Sequence, residues 1–185
     1  GLQNQLETGL ISEEEFAQAV RDAYATLVQP NGMVATGDIM RAISDMFTPI
    51  ESMVAVLQSL REAKVPIGIL SNTCAAHWNW ANRGWEIMSG PFDVQVVSYE
   101  AQSMKPDRVI YETAMKLASE CLAMRPGEGD NAELRPEEIL FVDDREENVE
   151  AALAHGWKAE VCLGGEQAID VLRRHGFDVP LASTA

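Results

Sequence analysis

The feature that most restricts the fold is the run Ile139-Leu140-Phe141-Val142-Asp143-Asp144-Arg145-Glu146-Glu147-Asn148. Four apolar residues, branched or aromatic, read as a buried parallel strand. They run directly into two carboxylates and then into a helical spacing at Val149, Ala152 and Leu153. Acid therefore sits at the carboxyl end of a core strand, the edge at which ligands bind in open α/β sheets. Two readings follow for Asp143 and Asp144. They hold a hard cation such as Mg2+, or they cap the next helix, where its dipole favours acids.

The remaining chain supplies the partners for that strand. Ser12 and Glu15 form a capping box ahead of Phe16, Ala19, Val20, Ala23, Tyr24 and Leu27, which predicts an amphipathic helix ended by Gln29-Pro30-Asn31-Gly32. A second helical pattern runs from about Gly37 to Phe47. Met33, Met40, Met46 and Met53 read as core filling, a commoner use of methionine than an adaptable binding surface. Thr48-Pro49-Ile50-Glu51 has the form of another capping box, opening a helix to about Ala63. Strands are then predicted at Val65–Leu70, within Phe92–Ser98, at Ile139–Val142 and at Ala159–Leu163, each followed by a helical pattern. Such alternation predicts an α/β fold, a three-layer doubly wound parallel sheet over residues 48–185, with residues 1–47 as a separate helical part. Arg125–Asn131 is polar and glycine-containing and reads as a surface insertion.

Charge narrows the partners. The net charge of -15 and the lack of a Lys/Arg cluster argue against nucleic acid. No apolar run is long enough to cross a bilayer, which argues against a membrane partner, and the opening residues do not resemble an export signal. Cys74, Cys121 and Cys162 are odd in number and widely spaced, as expected of reduced packing thiols in a cytoplasmic protein. His77, His155 and His175 show no ligand spacing.

Three groups fall at the carboxyl ends of predicted strands: Ser71 with Asn72, Lys105, and Asp143 with Asp144. Ser71 reads as an N-cap serine or as part of a small anion site. Lys105 precedes Pro106, which biases it toward an extended conformation just ahead of a helix, where a cation opposes the dipole. It reads as a solvated loop lysine or as an anion ligand. Together, a hydroxyl, an ammonium and two carboxylates are what a phosphate and its Mg2+ require. His77, Trp78 and Trp80 follow Ser71 and read as packing residues, with pocket lining as the alternative.

The ordered segments Ile69-Leu70-Ser71-Asn72-Thr73, Met104-Lys105-Pro106-Asp107 and Phe141-Val142-Asp143-Asp144 through Gly156-Trp157 resemble the haloacid dehalogenase (HAD) superfamily. They are most similar to its subfamily IA, variant 3, phosphatase-like branch with a small helical cap. The resemblance implies that residues 1–47 are the remainder of that cap and residues 48–185 the HAD-like core. It implies that Ser71 and Asn72 bind phosphate, that Lys105 neutralises nucleophile and phosphate, and that Asp144, assisted by Asp143, binds Mg2+. Asn148, one helical turn on, would orient the acids. The implied activity is Mg2+-dependent hydrolysis of a small phosphorylated metabolite.

The superfamily's first motif, Asp-x-Asp-x-Thr or Val, supplies the nucleophile and the acid/base, and it is not found in these 185 residues. The resemblance places the corresponding strand in the middle of the sheet, between those at 65–70 and 139–142. Its absence would leave two unpaired edges and predicts little or no turnover by this chain. Three explanations stand: a piece of a longer enzyme, which is favoured; a non-catalytic binding module; or a strand supplied by another chain. A phospho-receiver domain also combines an acid pair, a hydroxyl and a lysine, but places the pair at its first strand.

Overall fold

The computed structural model describes residues 1–25, 32–124 and 134–177. The amino-terminal region is helical: α1 (Leu2–Glu7), α2 (Glu13–Ala25) and α3 (Thr36–Ser44). The capping box that opens α2 forms as expected, with Ser12 N–H donating to Glu15 Oε2 at 2.8 Å and Glu15 N–H donating to Ser12 Oγ at 3.2 Å. Phe16, Ala17, Ile39 and Met40 bury one face of these helices against Leu6 and against Cys74. Gly9 links α1 to α2 at φ +67°, and a Cβ there would stand 2.5 Å from the Tyr99 carbonyl oxygen, so both conformation and contact select glycine.

The α/β part follows in order: α4 (Ser52–Glu62), β1 (Gly68–Ser71), α5 (Ala75–Gly84), β2 (Val94–Val97), the short α6 (Ser98–Ala101), α7 (Arg108–Ala123), β3 (Leu140–Asp143), α8 (Glu146–Ala154), β4 (Lys158–Val161) and α9 (Gly165–Arg174). Several expectations need correction. Thr48 and Glu51 form no capping box; α4 starts at Ser52, with Glu51 as an N-cap that makes no side-chain bond. The helix after Lys105 begins only at Arg108, with Asp107, in an extended conformation, as its N-cap. Met33 and Met46 are exposed, so core filling holds for Met40 but not for them. The insertion expected at Arg125–Asn131 lies outside the described residues.

The strands are parallel, as the alternation of strand and helix requires, but they form two pairs. β1 pairs with β2, from Gly68 opposite Val94 to Ser71 opposite Val97, and β3 pairs with β4, from Leu140 opposite Lys158 to Asp143 opposite Val161. Among the described residues no strand pairing joins β1 to β3. Side-chain packing on the two faces connects the pairs instead. One face carries Val96, Ile110, Tyr111, Phe141, Val149 and Trp157, with α7 and α8 covering it. The other carries Val56, Leu60, Ile67, Cys162 and Ala168, between α4 and α9. This gives three layers, helices on both sides of parallel strands, and brings the carboxyl ends of β1 and β3 to a common edge.

Candidate functional site

Ser71 ends β1 and Asp143 ends β3, and one lysine stands between them. Lys105 Nζ donates to the Leu70 carbonyl at 2.7 Å and to Asp143 Oδ2 at 2.5 Å. The pair is buried, with side-chain exposures of 9% for Lys105 and 6% for Asp143. An ammonium has three N–H donors, so one is left over. The other carboxylate oxygen is engaged too: Asp143 Oδ1 accepts from Asn148 Nδ2 at 2.7 Å and from the Arg145 N–H at 3.0 Å. Burial works to raise the Asp143 pKa, but the hydrogen bond and charge of Lys105, with the bonds from Asn148 and Arg145, hold it below the ordinary carboxylate value.

Asp144 contrasts with its neighbour. It is exposed and makes no hydrogen bond or ion pair among the described residues. The Ser71 hydroxyl, half-buried at the end of β1, is likewise unengaged. Neither acts as a helix cap, since α5 is entered through Cys74 and α8 through Arg145. The edge thus offers a free carboxylate, a free hydroxyl and a spare ammonium N–H around a fixed ion pair. An oxygen-loving cation suits the first, and an anion the other two. Among the described residues no three His, Cys, Asp or Glu side chains converge as a metal cage, so Asp144 offers one ligand rather than a complete set.

Asn72 stands apart from the other expected phosphate ligands. Its Oδ1 accepts the Lys105 backbone N–H at 2.7 Å and its Nδ2 donates to the Lys105 carbonyl at 2.8 Å. Asn148 is buried, with its backbone carbonyl accepting from Tyr111 Oη at 2.8 Å. Tyr111 did not stand out in the sequence, where its position on the helical stripe of α7 signals core and nothing more. His77 packs edge-on against Phe47 with centroids 4.8 Å apart, and its Nε2 is buried without a partner. Trp80 lines a groove of about 460 Å³ with Met40 and Arg41 of α3 and Asn79 and Arg83 of α5.

A sequence profile described as a haloacid dehalogenase-like hydrolase matches residues 7–156. No curated protein matches the chain. Among solved structures, a HAD family enzyme from Bacteroides thetaiotaomicron superposes with a TM-score of 0.72 at 26% identity, covering 94% of this chain and 78% of that one. The same enzyme in complex with magnesium and inorganic phosphate gives 0.68 at 26% identity, covering 89% and 76%. A predicted HAD-like family hydrolase from Porphyromonas gingivalis gives 0.71 at 24% identity, covering 95% and 78%, a likeness of fold.

Proposed function

The chain belongs to the haloacid dehalogenase-like hydrolases, and from that premise we propose that it carries the phosphate-holding and Mg2+-holding parts of a phosphomonoester hydrolase site. The observation that carries this reading is the Lys105 ammonium fixed between Leu70 and Asp143, with Ser71 and Asp144 free beside it. The magnesium and phosphate complex of the Bacteroides enzyme supports the same ligand pair.

In this reading Asp144 holds Mg2+, which when bound would polarise the phosphoryl group and screen its charge. Ser71 donates its hydroxyl to a phosphate oxygen, and the spare N–H of Lys105 donates to another. Asp143 stays ionised and keeps the ammonium aimed at the edge. Asn148 holds the other Asp143 oxygen. Residues 1–47 act as the cap over this edge and residues 48–185 as the core, in the subfamily IA, variant 3, manner. The substrate is a small phosphorylated metabolite handled in the cytoplasm.

The nucleophile lies on a strand outside these 185 residues, seated between β1 and β3, whose facing edges have no strand partner among the described residues. The chain alone therefore shows little or no turnover. The test is phosphate release from p-nitrophenyl phosphate, with and without Mg2+, by this chain and by a version extended through the upstream reading frame. The extended form is expected to turn over with Mg2+ and to lose about 10²-fold in rate on Asp144→Asn. Turnover by the 185-residue chain that disappears with Asp144→Ala would overturn the missing-nucleophile part. An extended enzyme indifferent to Mg2+ and to Asp144 would overturn the rest.

A further inference from the structure

We infer that Asn72 is a positioning residue for Lys105: its side-chain amide pairs with both backbone polar groups of the lysine and so fixes where the ammonium stands, rather than touching phosphate itself. The geometry is a closed circuit. Asn72 Oδ1 accepts the Lys105 N–H at 2.7 Å, and Asn72 Nδ2 donates to the Lys105 carbonyl at 2.8 Å. The lysine side chain then returns to the same strand end, with Nζ donating to the Leu70 carbonyl at 2.7 Å. Lys105 is thus tied to the end of β1 through its main chain and through its ammonium. A four-carbon stem has large rotamer freedom, and anchoring both ends removes most of it before any ligand arrives.

The same bonds take the Asn72 acceptor and one of its two N–H donors, and they fix the direction of the remaining N–H to the one the lysine backbone sets. Turning the amide toward a ligand would break both bonds to the lysine backbone at once. Ser71 carries no such engagement, so its hydroxyl can turn to a ligand without breaking any bond among the described residues.

The test uses the 185-residue chain, and its first arm does not depend on the proposed function. Amide hydrogen exchange of the Lys105 N–H is compared in wild type, Asn72→Ala and Asn72→Asp, with the Val96 and Val97 amides as internal references. Asn72→Ala is expected to speed Lys105 exchange about tenfold relative to those strand amides, the effect of one lost hydrogen bond. Asn72→Asp keeps the acceptor and is expected to retain the protection. Uniform acceleration of all amides would mean a general structural role and would overturn the inference. Where Asn72→Ala does not fold, the wild-type side-chain amide signals of Asn72 decide. They should exchange with solvent more slowly than a free side-chain amide, because Nδ2 donates to the Lys105 carbonyl, and exchange at the free-amide rate would overturn the inference.

The second arm rests on the proposed phosphate site. Binding of inorganic phosphate in the presence of MgCl2 is measured for Asn72→Ala, Lys105→Met and the double variant. A residue that acts through Lys105 has no further effect once Lys105 is gone, so the losses should be strongly non-additive. Additive losses would make Asn72 a direct phosphate ligand and would overturn the inference. Absence of phosphate binding by wild type would count against the proposed function, leaving positioning to the exchange arm.

Discussion

The faces of the sheet and its middle are held by different physics. On the faces, Ile110, Tyr111, Phe141 and Trp157 on one side and Val56, Leu60, Ile67 and Cys162 on the other form apolar clusters that span both strand pairs. In the middle, the carboxyl ends of β1 and β3 are joined by one buried ammonium and one buried carboxylate. Apolar burial is non-directional and tolerates small shifts, whereas a hydrogen-bonded ion pair fixes atoms to a fraction of an ångström. The clusters therefore set how firmly the halves cohere, and the pair sets the geometry of the edge.

Breaking the middle should have the largest effect. Asp143→Ala leaves the Lys105 ammonium buried without its carboxylate and is expected to cost about 3–5 kcal/mol, read by urea unfolding. A loss below about 1 kcal/mol would mean that the pair is solvated in solution and that the contrast with the faces is wrong. On a face, Ile110→Ala removes a fully buried side chain and is expected to cost about 2–4 kcal/mol while leaving the Lys105 amide as protected, relative to its neighbours, as in wild type. Changed relative protection at Lys105 would show that face and edge are coupled.

Acid should separate the regions by pH. Asp143 has its folded pKa below the ordinary 3.8, so the unfolded chain takes up the proton first as pH falls. Its stabilising contribution is complete above about pH 4–5 and is lost as pH drops through 3.8 toward the lowered value. Lys105→Met should flatten that segment of the stability curve. His77, packed on Phe47, has its pKa lowered by burial, against the opposing charges of Glu7 and Glu13. Its neutral form belongs to the folded state, so stability should also fall as pH drops below the ordinary 6.5, a window separate from that of Asp143. Replacing His77 by Phe should remove that slope; a slope that persists unchanged would show that burial against Phe47 does not hold this imidazole neutral.

Much of this was legible in the sequence because its causes are local. Short apolar runs and period-3.6 spacing located the strands and helices, and the Ser12 to Glu15 box opened α2 as expected. Strand ends carried Ser71 and Asp143 because strand pattern and polar residue are adjacent in the chain. What was hidden depends on distant partners. Nothing near Asn72 announces that its amide will meet the backbone of a residue 33 positions later. α7 starts only at Arg108, past the Pro106 that marked its approach in the sequence, because Asp107 is still extended. Thr48 and Glu51 had the right letters for a cap, yet α4 begins beyond them, at the point where Ser52 Oγ accepts the Gly165 N–H of α9. The unequal use of Asp143 and Asp144 also followed from the fold, since only the strand-end residue meets Lys105.

That inequality gives the smallest expected effect on stability. Asp144 is exposed and unbonded, so Asp144→Asn should change unfolding free energy by no more than about 0.5 kcal/mol, against several for Asp143→Ala. The same substitution removes a carboxylate that is free among the described residues and should weaken Mg2+ binding, measured by calorimetry on the 185-residue chain. Folding and cation affinity would then be separated onto two adjacent residues: the buried acid organises the lysine, and the exposed acid meets the ion. If Asp144→Asn leaves Mg2+ binding unchanged, the cation is held elsewhere on this strongly acidic chain, and the free carboxylate at the end of β3 loses its assigned role.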